Sequence, residues 1–314
     1  MIRDLLLVAA LGISWGFNWP AVRLALVEIP PWTLRAVAFW LATTILVAAL
    51  VATGRSLRVP RQHWWRLALV GSLSIAGYNI FSAFAQLTAT TSRAAVLSYT
   101  MPIWAVIFAR IVLGEPFDRS RRIGLGLGVA GLTALGWPLL VSGQLSIGLL
   151  YAILSGVVWA LGSVLLKRWP IAASAPVITT WQMAFAALVM TAGMLVVDGV
   201  PKTLPQLPAT YGGLAYNVLI GQAFASTLWF TILGLMPAGT ASIGSLLVPG
   251  VGVIGATLIL GERPTTTDWL GLVLIVAASA SVLLGRPAAR PAAIDPSPST
   301  GNLSARTNRS AADE

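Results

Sequence analysis

Polar side chains interrupt the long apolar runs of the sequence and are the first candidates for contact with a solute. They are Asn18, Tyr78, Asn79, Gln86, Tyr99, Gln182, Asn217 and Gln222. In a hydrocarbon environment such groups need hydrogen-bonding partners, and they generally face the interior of a helix bundle. Each can line a solute cavity or hold two helices together, and the sequence leaves both interpretations open.

Aromatic side chains are the second set of candidates, because the chain has 13 tryptophans. Trp64, Trp65, Trp169 and Trp269 lie at the ends of apolar runs, where indole rings anchor a helix at the membrane interface. Others lie nearer the centres of the runs, where a ring can stack on a flat or cationic ligand. These are Trp15, Trp40, Trp104, Trp159, Trp181 and Trp229. The surplus favours an aromatic or large apolar solute.

Groups for covalent or metal chemistry are scarce. The chain has no cysteine, one histidine and ten acidic residues, and the acidic residues before the tail fall at the ends of apolar runs or in loops. An intramembrane enzyme needs a nucleophile with a base, or metal ligands, at membrane depth. We therefore expect that the protein is not an enzyme and that it binds no metal and no cofactor. Proton-coupled carriers usually hold an ionisable group within the membrane, so the sequence predicts uniport or exchange of a neutral or zwitterionic solute.

The elements that position these residues follow from composition. Of 314 residues, 57% are hydrophobic and 10% charged, with a mean hydropathy of +0.83, whereas soluble domains carry about 25% charged residues. The lipid bilayer is therefore the expected partner. The net charge of +10 does not indicate nucleic acid, because the basic residues lie in short loops between apolar runs.

Ten apolar runs have the length of about 20 residues that crosses a hydrocarbon core as a helix. They lie near 4–26, 32–53, 66–88, 93–113, 122–141, 146–167, 174–197, 211–234, 239–260 and 267–285. Barrel strands are about ten residues long and alternate between polar and apolar residues. These runs are twice as long and continuously apolar. The sequence predicts an all-α integral membrane protein with ten transmembrane helices.

Basic residues give the orientation. With a cytoplasmic N-terminus, the cytoplasmic side holds Arg3, Arg55, Arg58, Arg61, Arg66, Arg119, Arg121, Arg122, Lys167, Arg168, Arg286, Arg290, Arg306 and Arg309. The other side holds Arg23, Arg35, Arg93, Lys202 and Arg263, and Arg110 falls within a span. This bias places both termini in the cytoplasm. Residues 286–314, rich in Pro, Ala, Ser and Asn, are predicted to be a disordered cytoplasmic tail.

The chain contains an internal repeat. Residues 94–130 align without gaps to 241–277, with 14 identical positions, and this alignment matches Pro102 to Pro249 and Leu113-Gly114-Glu115 to Leu260-Gly261-Glu262. Each half, 1–142 and 143–285, holds five spans. Because five is odd, the second half enters the membrane from the opposite side. Inverted repeats are typical of secondary transporters, which bind the substrate between the halves near the midplane. We expect a central cavity there.

The two aligned segments, together with the opening Trp15-Gly16-Phe17-Asn18, resemble the EamA-type repeat of the drug/metabolite transporter superfamily. The resemblance covers residues 4–285 and implies a ten-helix inner-membrane carrier, commonly an exporter of amino acids or other small metabolites. The YddG-type exporters of aromatic amino acids are the most similar in overall look. In similar proteins the first, third and fourth spans line the pore. The predicted substrate-cavity residues are therefore Trp15, Asn18, Tyr78, Asn79, Ser98 and Tyr99, with Trp159 and Ser245 as repeat partners.

Pro102 and Pro249 fall near the middle of the fourth and ninth spans. A proline inside a helix cannot donate to the carbonyl four residues earlier, so the carbonyls of Ser98 and Ser245 are freed and each helix is predicted to kink. Freed backbone is tolerated at membrane depth when it lines a cavity or is buried by neighbours. The two prolines are therefore candidate hinges, and a purely structural kink is the alternative.

The sequence as a whole predicts a monomeric secondary transporter that exports amino acids, aromatic or hydrophobic ones in particular, or related small metabolites by alternating access. The alternative is an exporter of hydrophobic or cationic drugs. The lack of a carboxylate within the spans, which would hold a cation, argues against that alternative.

Overall fold

Helices make up the regular structure in the computed structural model, which describes residues 2–116, 118–141, 143, 146–235 and 238–284. The α-helices are α1 Ile2–Ala25, α2 Pro31–Ala52, α3 Trp64–Val70, α4 Tyr78–Thr88, α5 Thr91–Ser98, α6 Met101–Leu113, α7 Arg119–Val141, α8 Ile147–Arg168, α9 Ala175–Gly193, α10 Pro208–Ala215, α11 Ala225–Leu235, α12 Ala238–Leu260 and α13 Thr266–Leu284. The predicted tail, 286–314, and the side chains of Pro102 and Ser245 lie outside the described part of the chain.

Ten spans result when consecutive helical segments are joined. A π-helical segment, Gly71–Gly77, joins α3 to α4 as span 3, and a second, Tyr216–Phe224, joins α10 to α11 as span 8. The helices α5 and α6 form span 4, and a π-helical segment, Met194–Asp198, extends α9 as span 7. The remaining spans are single helices: α1, α2, α7, α8, α12 and α13 are spans 1, 2, 5, 6, 9 and 10. The all-α architecture with ten spans confirms the prediction.

Length and composition alone identify some of these spans as membrane helices. Five described stretches are long and apolar enough to cross a bilayer: Pro31–Ala52, Arg61–Thr88, Thr91–Leu113, Ile147–Arg168 and Ala175–Asp198. Many large apolar side chains on the surface are exposed, such as Val196 and Leu258. Apolar surface on this scale requires lipid around the bundle.

The packing of the spans repeats between the two halves. Span 1 packs on spans 8 and 9, and its repeat counterpart, span 6, packs on spans 3 and 4. Spans 2 and 7 pack on each other, as do spans 5 and 10. When each span is replaced by its counterpart in the other repeat, this set of contacts is unchanged. Because each half has an odd number of spans, the second half enters the membrane from the opposite side. The molecule is therefore built from two inverted five-helix repeats.

The shared Leu-Gly-Glu motif ends the fourth span of each repeat in the same way. Gly114 and Gly261 have φ angles of 70° and 68°, a left-handed conformation that favours glycine. The amide of the following glutamate then donates to a carbonyl six residues earlier: Glu115 to Ala109 O at 3.2 Å and Glu262 to Ala256 O at 3.3 Å. A glycine in the left-handed conformation is a common end of a helix, and it explains why the motif occurs in both halves.

The two ends of the bundle are named here by these glutamates. The Glu262 face carries the loops 26–30, 89–90, 199–207 and 261–265, and the Glu115 face carries the loops 53–63, 114–118 and 169–174. The predicted orientation makes the Glu115 face cytoplasmic.

Glycines allow span 6 to approach its neighbours closely. A Cβ atom on Gly156 would lie 2.8 Å from the carbonyl oxygen of Ser98, and one on Gly162 would lie 2.6 Å from Cβ of Ser74. Close approach at small residues is the usual basis of helix association in membranes, where the hydrophobic effect between helices is absent. Span 6 is thereby fixed against spans 3 and 4, the spans that carry Asn79 and Tyr99.

Replacing Gly156 with alanine should therefore destabilise the protein by about 1–3 kcal/mol, because neither helix backbone can move independently. Thermal unfolding in detergent measures the effect. Gly126 in α7 is the matched control, since no atom lies within 4 Å of a Cβ built there, and Gly126→Ala should be neutral or slightly stabilising. Equal melting temperatures for the two variants would contradict this account of the packing.

Candidate solute-binding site

A central cavity of about 480 Å³ lies between spans 1, 3, 4, 6, 7 and 8. Its aromatic lining consists of Trp15, Trp19, Tyr78, Tyr99, Trp159 and Trp229, and its polar lining of Asn18, Ser74, Asn79, Ser163, Thr179, Gln182, Gln222 and Ser226. Cavities of this size and mixed lining bind small organic solutes.

The structure brings together six of the eight side chains that the sequence places in a substrate cavity. Trp15, Asn18, Tyr78, Asn79, Tyr99 and Trp159 all line the central cavity. Ser98 does not. It is fully buried between spans 4 and 6, where its hydroxyl donates to Ala152 O and accepts from Ser155 Oγ at 2.7 Å. The side chain of Ser245 lies outside the described residues.

Span 4 is interrupted near the predicted kink. The helix α5 ends at Ser98, Tyr99 and Thr100 form a turn, and α6 begins at Met101, so that Pro102 occupies its first turn. A proline is tolerated in the first turn because the amides there have no partner within the helix. The turn directs Tyr99 into the cavity. Pro249, in contrast, lies inside the continuous helix α12.

Two aromatic pairs flank the cavity, one for each repeat. The rings of Tyr78 and Trp159 have centroids 5.1 Å apart at 62°, and those of Trp15 and Trp229 are 5.9 Å apart at 43°. In both pairs a tryptophan from the first span of one repeat meets a ring from the third span of the other. Such pairs present ring faces and edges on which a planar solute can pack.

Span 1 and span 8 are tied together by polar contacts at the cavity wall. The Asn217 amide donates to Asn18 Oδ1 at 2.8 Å, and Trp15 Nε1 donates to the carbonyl of Gly221 at 3.1 Å. A Cβ on Gly221 would lie 2.2 Å from Asn18 Oδ1, so a larger residue at this position would displace the Asn18 side chain and its bond from Asn217. These bonds fix the orientation of the Trp15 ring.

The π-helical segments occupy related positions in the two repeats. Gly71–Gly77 in span 3 contributes Ser74 and Ile75 to the cavity, and Tyr216–Phe224 in span 8 contributes Gly221 and Gln222. A π-helical segment alters the direction of the side chains around it and is frequent at functional sites. Here it lies at the middle of both spans, next to the cavity.

The described lining of the cavity is uncharged, and the cavity extends towards one face of the bundle. No Asp, Glu, Lys or Arg is among its described lining residues. The lining extends towards the Glu115 face as far as Leu166 at the end of α8 and Ala175 at the start of α9. Among the described residues, none from the loops of the Glu262 face lines it. The cavity is therefore open towards the Glu115 face.

Carboxylates hold the Glu262 face together by binding amides at helix starts. Glu262 accepts from the amides of Thr91 and Ser92 at 2.6 and 2.9 Å and from the Ser92 hydroxyl. Asp198 accepts from the amide and the hydroxyl of Thr33 near the start of α2. Negative charge is favourable at these positions because the free amides of a helix N-terminus carry partial positive charge.

Glu28 makes a third contact of this kind. It accepts from the hydroxyl of Thr210 and from the amides of Gln206 and Leu207, ahead of α10. The hydrogen bonds, first that from Thr210, lower the pKa of the Glu28 carboxyl. Together the three carboxylates link loops and helix starts from both repeats.

At the opposite face Glu115 binds cations. Its carboxylate pairs with Lys167 and with Arg121 at 2.7 Å, and the hydrogen bond from Lys167 is the main cause that lowers the pKa of Glu115. The two repeat-related glutamates therefore have different partners in this conformation. Glu262 binds backbone amides of the other repeat's fourth span, whereas Glu115 binds the side chains of Arg121 in α7 and of Lys167 at the end of α8 in the other repeat.

The sequence analysis named Gln182, Gln222 and Trp229 as candidates but did not include them in the predicted substrate cavity, which the structure shows they line. All three were recognisable as polar or aromatic residues inside apolar runs. The signal that could have identified Gln222 and Trp229 is the repeat itself, because span 8 is the counterpart of span 3. Trp19 and Ser74 carried no comparable signal.

Comparison with known proteins gives a family match over both halves. The model of the EamA-like transporter family matches residues 3–137 and 146–284. A solved crystal structure that is 22% identical has a TM-score of 0.59, and the match covers 88% of this chain and 96% of that one. This likeness supports the fold.

Several curated proteins are similar over nearly their whole length. The uncharacterized transporter YoaV of Bacillus subtilis (strain 168) is 23% identical over 88% of this chain and 94% of its own. The uncharacterized inner membrane transporter YedA of Escherichia coli (strain K12) is 27% identical over 88% and 89%. A probable amino-acid metabolite efflux pump of the same strain is 22% identical over 87% and 92%.

The contact of Glu262 with α5 gives a testable expectation. Glu262→Ala removes hydrogen bonds across the halves, so the Glu262 face should open about 2- to 30-fold more often, which corresponds to 0.5–2 kcal/mol for a helix cap. Because the chain lacks cysteine, Gln222→Cys provides a single thiol in the cavity. Its rate of reaction with a membrane-impermeant reagent added on the Glu262 side should rise by that factor.

The matched control is Glu115→Ala, which removes the repeat-related carboxylate at the other face and should not raise this rate. An unchanged rate in the Glu262 variant would show that its contact does not hold that face closed.

Proposed function

Since the chain belongs to the EamA-like transporter family, we propose that it exports amino acids, aromatic or hydrophobic ones in particular, or related small metabolites across the inner membrane. It is a multi-pass membrane transporter and not an enzyme. The similarity to a probable amino-acid metabolite efflux pump supports the class of solute. The direction and the solute are part of the proposal.

The central cavity carries the proposal. Two aromatic pairs, each from both repeats, face an uncharged space of about 480 Å³, and a planar side chain packed between them gains about 0.5–1.5 kcal/mol for each favourable ring contact. Amide groups of Asn18, Asn79 and Gln182 line the cavity and have remaining hydrogen-bonding capacity for the polar end of an amino acid. A cationic drug finds no carboxylate among the described lining residues.

Alternating access gives the mechanism. In the described conformation the solute enters from the Glu115 face and meets a barrier formed by the helix-start contacts at the Glu262 face. Rocking of one repeat against the other about the cavity exposes the same residues to the opposite side. The turn at Tyr99 and Thr100, before Pro102, and the proline at 249 in α12 are proposed as the hinges of this motion.

Uptake into proteoliposomes tests the function. A panel of radiolabelled amino acids should give saturable uptake of tryptophan or phenylalanine that an imposed pH gradient does not alter. Trp159→Ala should raise the half-saturation concentration about 3- to 10-fold, because one stacking contact is lost. Trp15→Ala and Tyr99→Ala should have similar effects.

Trp137→Ala is the matched control, because Trp137 lies on α7 with 61% of its surface exposed, and its uptake should equal that of the wild type. Activity on lipophilic cations with no uptake of any amino acid would favour the drug exporter instead. Substrate-dependent proton flux near one proton per solute would contradict the uncoupled mechanism.

The orientation is proposed from the distribution of basic residues, with both termini and the Glu115 face in the cytoplasm. Single cysteines at two exposed loop positions, Ser56→Cys and Lys202→Cys, should then behave oppositely in intact bacterial cells. A membrane-impermeant maleimide should label the cysteine at 202 directly and the cysteine at 56 only after permeabilisation. The reverse pattern would invert the assignment of the faces.

A further inference from the structure

Arg35 is a buried cation without a counter-ion. It lies in α2 with 2% of its surface exposed. Its Nε donates to the carbonyl of Asn79 at 3.1 Å and one terminal nitrogen donates to Ser82 Oγ at 3.4 Å. The other terminal nitrogen has no hydrogen-bond partner, and no carboxylate pairs with this guanidinium, within the part of the chain that the structure describes. An uncompensated charge at this depth is unfavourable unless an anion approaches it.

This charge lies directly behind the wall of the central cavity. Asn79 lines the cavity, and Arg35 binds the backbone carbonyl of the same residue. Because the described lining of the cavity carries no charge of its own, Arg35 sets the sign of the electrostatic potential at that end. The potential is positive, and low-dielectric surroundings extend its reach.

A second arginine binds span 3 closer to the Glu262 face. Arg23 in α1 donates to the carbonyl of Gln86 at 2.7 Å. Gln86 follows Asn79 by two helical turns, about 10 Å towards the Glu262 face. Arg23 also lines a separate cavity of about 430 Å³ at that face, together with Thr88, Thr90 and Ser146.

The other charged residues that line this second cavity, Arg93 and Glu262, already have partners. Arg93 pairs with Asp268 at 2.6 Å, and Glu262 binds the amides of Thr91 and Ser92. Arg23 has no ion-pair partner among the residues described. Among the residues described, one guanidinium without an ion-pair partner therefore lies at each cavity: Arg35 behind the wall of the central cavity and Arg23 in the lining of the second.

We propose that the solute carries a carboxylate, which Arg35 attracts to the closed end of the central cavity and Arg23 receives in the cavity at the Glu262 face. The inference rests on the proposed function and specifies its substrate class. A single guanidinium at each stage matches the single negative charge of a carboxylate. Arg35 acts through the wall residue Asn79 and selects for charge, whereas Arg23 meets the solute as it leaves.

Competition in proteoliposomes tests the class of substrate with the wild-type protein alone. The competitors are the labelled solute identified by the amino-acid panel in unlabelled form, its primary amide and its decarboxylated amine. The carboxylate should compete at least tenfold better than either analogue. Equal competition by the amide, with saturable uptake intact, would overturn this inference and leave the transporter function standing. Absence of saturable uptake of every solute in the panel would overturn the proposed function and this inference with it.

Substitutions at Arg35 and Arg23 distinguish the roles of the two arginines. Arg35→Gln should reduce the preference for the carboxylate over the amide to about twofold or less, whereas Arg35→Lys should retain most of it. A purely structural role would weaken binding of both competitors equally. If Arg35→Gln does not fold, the lysine variant still tests the charge, because loss of the preference with the charge retained would contradict the proposal.

Arg23→Gln should lower the maximal rate of carboxylate transport about tenfold while the half-saturation concentration measured from the Glu115 side stays unchanged. The matched control is Arg110→Gln, because Arg110 donates to Gly114 O at the opposite face and lines neither cavity. Arg110→Gln should alter neither the preference nor the rate. A normal rate in Arg23→Gln would contradict the assigned route.

Discussion

Close contact between helices at glycine is the constraint on which the rest of the structure depends. In lipid, apolar side chains gain little by leaving the solvent, so the spans associate through dense packing and hydrogen bonds. Gly156 lies against the backbone of Ser98, and Gly221 lies against the side chain of Asn18, close enough for these contacts. The second contact also aligns Trp15 with the cavity through its bond to the Gly221 carbonyl. The aromatic lining is therefore positioned by the same small residues that assemble the bundle.

The inverted repeat gives this bundle two equivalent halves but not two identical faces. In the described conformation Glu262 binds the start of α5 in the other half, whereas Glu115 pairs with Lys167 and Arg121. In this conformation the cavity is open towards the Glu115 face, and helix-start contacts cross the Glu262 face. An alternating-access carrier needs such a pair of states, which differ by the exchange of contacts between repeat-related positions. The carboxylates at helix starts supply contacts that can be broken without exposing an unpaired buried charge.

Much of this was predictable from sequence because its causes are local. Apolar runs and helix breakers predicted all ten spans, and the Leu-Gly-Glu motif revealed the repeat because a left-handed glycine ends both helices. Six cavity side chains were placed by their polarity or aromaticity inside apolar runs, together with the pore-lining spans that the family resemblance implies and the repeat relation of Trp159 to Trp15. The π-helical segments were not predicted, since no residue pattern distinguishes them from ordinary helix. Ser98 was assigned to the cavity, but its direction depends on where span 6 packs, and Arg35 was counted as a charge near a loop because its burial depends on span 3.

The central claim is that one aromatic cavity is exposed alternately to the two faces by movement of one repeat against the other. Electron paramagnetic resonance measurements of the distance between spin labels attached at Leu87→Cys and Arg263→Cys test it most directly. These two positions lie on opposite repeats at the Glu262 face. The account predicts two distance populations, a short one for the described conformation and a longer one, whose ratio changes when saturating solute is added. A single distance that solute leaves unchanged would contradict it.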